Sequence, residues 1–517
     1  MKKVFLILTS VVLFSCDNFM GVNEDQSNYP YADVLAPNNM LAGAINNYTT
    51  QQVISFNNFG NEMSYVWALN NGFTSSAEYI TYDYTSSSNK GLFNTTYLYA
   101  DNFQDILDKQ ADKPQYSYHY AIAKLFKVMC MDQIVTLYGD VPYSEAFNSD
   151  IKRPKYDDDA AIIPQLLTEL DEARDLIANP DSHVVELGVE DIVFHGDLAK
   201  WEQFINTIEL RMLLRLSKTT DSDLVALRTS RFGNLADNFI TYNVTNNPGY
   251  GFATLGQRNP IFRTWGMNAA NDDFSSSYYA NAAGSYCAKM LLGQPVAGVA
   301  AGSADPRRFR IFNGTTITFT NQGTTPTVDV SRVATFFHGR IGSSTDNKNK
   351  AASERDAYIM LAAESYFLQA EAVQRGYMTG SGTAQSLFNQ GIQASFAFYN
   401  DYSFTDVVGG PTLNAAAYIA AVDSRAGLGW TATGDKINCI INQKYLALAN
   451  WNGFELYIDH LRTGYPNLPL PDGVTRPNRP NRMIYPSSEY STNSSNVPNV
   501  TLDEIFTVNS KTPVYLQ

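Results

Sequence analysis

The sequence predicts a mainly α-helical protein assembled from successive helix pairs, and three observations carry that expectation. Apolar residues recur at helical spacing in segment after segment; Tyr118, Ile122, Leu125 and Met129, for example, fall at i, i+4, i+7 and i+11. Strand-like alternation is confined to one stretch, "TTITFTNQGTTPTVDVS", which reads as a minor β-hairpin. Two long regions rich in turn residues, 219–350 and 464–500, interrupt the helical pattern and read as ordered loops on a rigid scaffold.

The helices follow in order. The first stripe ends before Gly139. Asp157, Asp158 and Asp159 directly precede "AAIIPQLLTELDEARDLIAN", where they complement a helix N-terminus rather than form a metal cluster. "DLAKWEQFINTIELRMLLRLS" puts Trp201, Phe204, Ile205, Ile208 and Met212 on one side, while Arg211 and Arg215 share a face. "SERDAYIMLAAESYFLQAEAVQRGYMTG" opens with Ser353 and Asp356, a variant capping box, and closes near Gly376. Its alanines suit close helix packing. "SLFNQGIQASFAFYN", "AAAYIAAVDS" and "DKINCIINQKYLALANWNGFELYIDHLR" add further helices. Paired helices in succession suggest a repeat scaffold, although no strict period of about 34 residues is visible.

Residues 1–15 read as a signal segment: Lys2 and Lys3 precede an apolar run from Val4 to Phe14. That run falls short of the roughly 20 apolar residues a membrane span needs. "LFSC", with an apolar residue at −3 and a small one at −1, resembles a bacterial lipobox, which implies cleavage before Cys16 and lipid on that cysteine. Residues 16–37 read as a tether and 38–517 as one domain, its helical scaffold at about 90–218 and 351–463.

Composition narrows the chemistry. The 517-residue chain is 44% hydrophobic, enough for a large core, and its net charge of −14 argues against nucleic acid. Cys130, Cys287 and Cys439 stand far apart without a CxxC, so they read as buried free thiols. The five histidines (119, 183, 195, 338 and 460) lie singly, so neither a metal centre nor a cofactor is expected. No nucleophile elbow, P-loop or dinucleotide fingerprint exists. Glu364 and Glu371 lie about 10.5 Å apart along one helix, but a tightly patterned helix favours pairing with buried bases such as Arg211 or Arg215. The expectation is a binding protein, not an enzyme.

Six segments in order resemble one family, the SusD/RagB-like nutrient-binding outer-membrane lipoproteins, in the SusD-like type 2 branch. They are "AIAKLFKVMCMDQIVTLYGDVPYSEAF", "DIVFHGDLAKWEQFINTIELRMLLRLS", "SADPRRFRIFNG", "YIMLAAESYFLQAEAVQRGY", "INQKYLALANWNGFELYIDHLRTGYPNL" and "NRMIYPSSEYSTNSSNVPN". The resemblance implies four TPR-like helix pairs, a loop-rich ligand-binding part and a SusC-like TonB-dependent β-barrel as partner. It implies glycan capture at the cell surface for import. A peptide-capturing lid and a mainly structural transporter subunit are the alternatives. Asp17, Glu24 and Asp25 after the cysteine are compatible with surface export as that family's bacteria read it.

A sugar offers an apolar C–H face and a hydroxyl rim, so an aromatic ring flanked by Asn, Asp and Arg is the pattern to seek. Trp201 and Trp451 sit in helical patterns and read as core, while Trp430 is indeterminate. Trp67 lies in an N-terminal segment among polar residues. Trp265 lies in the loop-rich insertion with Arg263, Asn268, Asp272, Asp273, Tyr278 and Tyr279 nearby. The resemblance implies that these two regions grip the ligand, which makes those eight residues the candidate site.

Overall fold

A computed structural model describes residues 36–73, 78, 81–314, 316–334, 347–379, 382–400 and 412–517. The signal segment, Cys16, the tether up to residue 35 and His338 lie outside the described residues. Helix α1 (Pro37–Gln51) opens on a proline, whose missing N–H is no loss at a first helical position. It continues through a π-helical turn, Gln52–Phe56, into α2 (Asn57–Met63). Strand β1 (Trp67–Leu69) follows, then α3 (Lys90–Leu107), α4 (Ser117–Tyr138), α5 (Asp159–Ala178), α6 (Leu198–Arg215) and α7 (Ser222–Asn234). Each packs on its neighbour in turn, α3 on α4, α4 on α5, α5 on α6.

Aspartates start three of these helices. Asp158, Asp197 and Asp221 accept hydrogen bonds from Ala160, Lys200 and Leu224 backbone N–H groups that the helix leaves unpaired. The Asp157–Asp159 run divides its work: Asp157 accepts from Tyr143 and Ser144, Asp158 caps, and Asp159 accepts from Val514 N at 2.7 Å. Helix α4 is buried around nearly its whole circumference, so the apolar stripe of its sequence is one side of a central helix.

Strands β2 (Val244–Asn246), β3 (Asn281–Ala283) and β4 (Ala357–Met360) lead to the second helical set. It comprises α8 (Ala362–Gln374), α9 (Ala384–Tyr399), α10 (Ala415–Val422), α11 (Lys436–Leu448) and α12 (Gly453–Thr463). Helix α8 packs on α9, α11 and α6, and α12 packs on α2, so the last helices close onto the first. Two main hydrophobic cores and one small cluster around Phe262 and Met267 result among the described residues. One main core lies chiefly among α1 and α3–α6, the other among α8–α11 and the loop-rich segments.

Two sequence expectations change form. The capping box at Ser353 does not start a helix: helix Asn347–Ser353 ends there, the chain turns into β4, and α8 begins only at Ala362. The Ser353 hydroxyl donates back to Lys350 O. β4 is claimed instead by an antiparallel partner more than 110 residues away, with Val244 opposite Met360. The expected hairpin around 316–331 is held by Ser331 N donating to Thr318 O, while Thr320 bridges to Gly284 rather than to its own second arm. Both two-stranded ladders, β1–β3 and β2–β4, therefore join distant segments.

Glu364 and Glu371 enter a buried ionic network rather than a cleft. Glu364 lies 3.5 Å from Arg211, as expected, but Glu371 pairs with Arg462 and Arg375 and not with Arg211 or Arg215. Arg215 turns to Glu455 at 2.6 Å, and Lys444 and Arg462 hold Asp459. Burial would raise the Glu371 carboxyl, but Arg462 and Arg375 outweigh it and leave it below the ordinary carboxylate range. These groups fasten α6, α8, α11 and α12 together. Cys130, Cys287 and Cys439 are buried free thiols, and Trp201 and Trp451 are core.

Candidate ligand-binding site

The β1–β3 ladder builds the site. Trp67 stands opposite Ala283 and Leu69 opposite Asn281, which lays the N-terminal segment 67–73 along the insertion segment 260–283. A short helix, Pro260–Trp265, is capped by the Asn259 side chain accepting from Ile261 N and Phe262 N. Beyond it Met267 bridges to Phe274 around a tight loop, pinned from beneath by the buried Arg258 guanidinium donating to Met267 O and Asn268 O. In that loop Asn268 donates to Asp272 at 2.7 Å.

Outside this loop stands an aromatic ridge. The Tyr279 hydroxyl donates to Asp273, and the Arg332 guanidinium sits 5.1 Å from the Tyr279 ring centre while pairing with Asp329 at 2.7 Å. That hydrogen bond lowers the Asp273 carboxyl and raises the Tyr279 phenol. Asn70 anchors the ridge from the N-terminal segment. Its N–H donates to Ala280 O, its side-chain amide donates to Tyr279 O, and its side-chain carbonyl accepts from Val330 N. Arginine and carboxylates therefore surround a half-buried aromatic ring, which is the polarity pattern of a sugar.

A cavity of about 480 Å³ opens beside it, within the usual span of small-ligand sites, about 300–1,000 Å³. Ile54, Phe59, Leu92 and Trp265 supply its apolar surface, and Asn58, Asn89, Thr95, Ser277 and Asn281 its polar surface. Ile54 and Ser55 come from the π-helical turn, a local widening that recurs at functional sites.

The eight candidate residues separate into three groups. Trp67 and Trp265 do meet, edge to face with ring centres 5.4 Å apart, but each is only 1% exposed. They form a structural pair beneath the loop face; Trp67 Nε1 donates to Asn450 Oδ1, and Trp265 alone borders the cavity. The sequence pattern of polar neighbours around Trp67 reflects the edge of β1, not an exposed platform. Tyr278 is also buried, accepting from Asn313, and Arg263 is half-buried on the side of Tyr250. Asn268, Asp272, Asp273 and Tyr279 stand on the loop face. Asn70, Arg332 and the π turn are added by the structure. Nothing local marks Asn70, whose role arises from pairing over some 210–260 residues, or Arg332, whose contact with Tyr279 spans 53. Elsewhere, Asp140, Asp158 and Asp159 carboxylates gather within 4.8 Å, where Asp158 caps and Asp159 binds a backbone N–H.

The structure is a mainly helical scaffold of stacked pairs carrying an amphipathic loop face. A family model described as starch-binding, associating with outer membrane, matches residues 30–486, and the chain belongs to this SusD-like family. Solved structures agree in fold. A SusD homologue from Bacteroides fragilis NCTC 9343 superposes with a TM-score of 0.68 at 22% identity, covering 89% of this chain and 94% of that one. A chitin-binding SusD homologue from Flavobacterium johnsoniae gives 0.65 at 23% identity, covering 88% and 94%. A SusD/RagB family protein from Bacteroides thetaiotaomicron VPI-5482 gives 0.67 at 17% identity, covering 89% and 95%. Comparison with curated proteins returns no match. Among the described residues no helix is long and apolar enough to cross a membrane.

Proposed function

We propose that this chain is a cell-surface glycan-binding lipoprotein, anchored through Cys16 in the outer membrane, that captures oligo- or polysaccharide and delivers it to a SusC-like TonB-dependent β-barrel transporter. The family match over residues 30–486 carries the reading. The Tyr279 ridge with Asp273 and Arg332 supports a saccharide ligand, because it sets an aromatic surface among donors and acceptors. So does the chitin-binding homologue of the same fold. On this reading the chain acts by binding, without a catalytic step: Glu364 and Glu371, the carboxylate pair singled out in the sequence, are committed to buried bases.

Affinity electrophoresis and calorimetry against soluble starch, glycol chitin, chitin oligomers and a casein digest test the reading. Retardation by a polysaccharide supports it. Binding of peptides alone turns the chain into a peptide-capturing lid, and binding of neither, with a β-barrel still co-purifying, makes it a structural subunit.

A further inference from the structure

We infer that the groove between α9 and α10 is a second saccharide-binding site, distinct from the Tyr279 face. This inference rests on the glycan reading above. The groove encloses about 400 Å³ and shares no lining residue with the Trp265 cavity. On one wall Gln385, Asn389 and Gln393 stand at i, i+4 and i+8 of α9, so they step along the helix at intervals of about 6 Å. On the other wall Ala416, Ile419, Ala420 and Val422 form an apolar surface. Trp430 and Asp423 border the same space.

The carboxamide row is unspent. None of the three amides hydrogen-bonds another described residue, whereas Gln390, one position round the helix, is tied to Ser386. A carboxamide both donates and accepts, which is what a hydroxyl-rich ligand asks of its receptor. Trp430 is held in place by Phe388, with ring centres 5.3 Å apart, and by Lys436, whose ammonium lies 5.4 Å from the indole centre. Lys436 also donates to Trp430 O at 2.5 Å and to Thr433 O, so its charge is engaged by backbone carbonyls. Asp423 already accepts from Thr431 N. The groove therefore offers a row of neutral carboxamide donors and acceptors, the Asp423 carboxylate at its border, an indole and an apolar wall.

That set suits an uncharged saccharide better than a peptide. An extended peptide gains affinity by adding its backbone to an exposed strand edge, and this groove, lying between two helices, offers no strand edge. A long polysaccharide engaging both sites would bind more tightly than a short one, by effective concentration rather than by new contacts.

The test compares the full chain with Asn389→Ala/Gln393→Ala, Trp430→Ala and Tyr279→Ala, each checked for folding by circular dichroism. The double variant changes only groove-facing amides and keeps the test valid if Trp430→Ala misfolds. Glycol chitin and soluble starch are the long probes, chitin oligomers the short ones. The expected result is a loss of about tenfold or more in retention by the long probe the wild type binds, in both groove variants. In the Tyr279→Ala background, residual oligomer binding should persist and vanish when the groove changes are added. Wild-type retention in the groove variants overturns the inference while leaving the proposed function standing; absence of glycan binding in the wild type overturns both. Loss of casein-peptide binding in the groove variants, with glycan binding intact, overturns it as well.

Discussion

Tyr279 is fixed at three points, through its hydroxyl to Asp273, through its carbonyl to Asn70 and by Arg332 against its ring. Tyr279→Ala should lower glycan affinity by about 0.5–1.5 kcal/mol, or roughly two- to tenfold, read by calorimetry. Trp265→Ala would be a poor substitute, because removing a buried indole costs about 3–5 kcal/mol of stability and confounds any binding loss. Arg462 is the keystone of the buried network, bridging Glu371 and Asp459. Arg462→Ala leaves two buried carboxylates short of a partner and should destabilise the fold by about 3–5 kcal/mol in denaturant titrations. Asp159 behaves oppositely. Burial lifts its carboxyl from 3.8 to about 7, so the folded chain favours the neutral form. Its contribution is fully present below about pH 4 and is lost as pH climbs toward 7. Asp159→Asn should therefore raise the melting temperature relative to wild type progressively between pH 4 and pH 8, and little at pH 4. The role of Asp158 as a cap was legible in the sequence, since a cap is local. The partner of Glu371 was not, since choosing Arg462 over Arg211 depends on which helices meet.

Helices with local signatures were the legible elements. Helix α4 ends at Gly139 and α8 closes just before Gly376, where positive φ values of 72° and 73° favour glycine. β4 was hidden because its capping-box letters describe a helix that no neighbour supports, while the Val244 strand supplies a partner. The same limit applies to the candidate site: the two segments it draws on could be named, and the β1–β3 ladder pairs them, but the turn of Trp67 and Trp265 inward could not be read. Tertiary contact also governs the α2–α12 crossing. A Cβ on Gly60 would sit 2.0 Å from Gly453 C and from Phe454 N, backbone against backbone. No side chain can move aside there. Gly60→Ala should exceed the usual overpacking cost of about 1–3 kcal/mol, seen as lost soluble yield or a much lower melting temperature, whereas Gly43→Ala, with open space around it, should fold normally.

The whole molecule is acidic and mainly helical, and the proposed anchor at Cys16 is open to test. Cys16→Ala should move the protein from the outer-membrane fraction to the soluble fraction of the cell without changing glycan affinity, as read by fractionation and calorimetry on the same preparation. The long-range closure of the fold has a further consequence, for the order in which the chain becomes structured. Asn57 bonds the backbone of Asn450 and Gly453, Tyr445 bonds Ser64 O, and Trp67 bonds Asn450. Such contacts are expensive to form early, because loop-closure entropy precedes the gain. A growing chain thus makes α2 early but cannot seat it until α11 and α12 exist, whereas α1 can pack on α3 and α4 as they emerge. Birth order and folding order are reversed at this seam, and α2, among the earliest helices made, waits for one of the last.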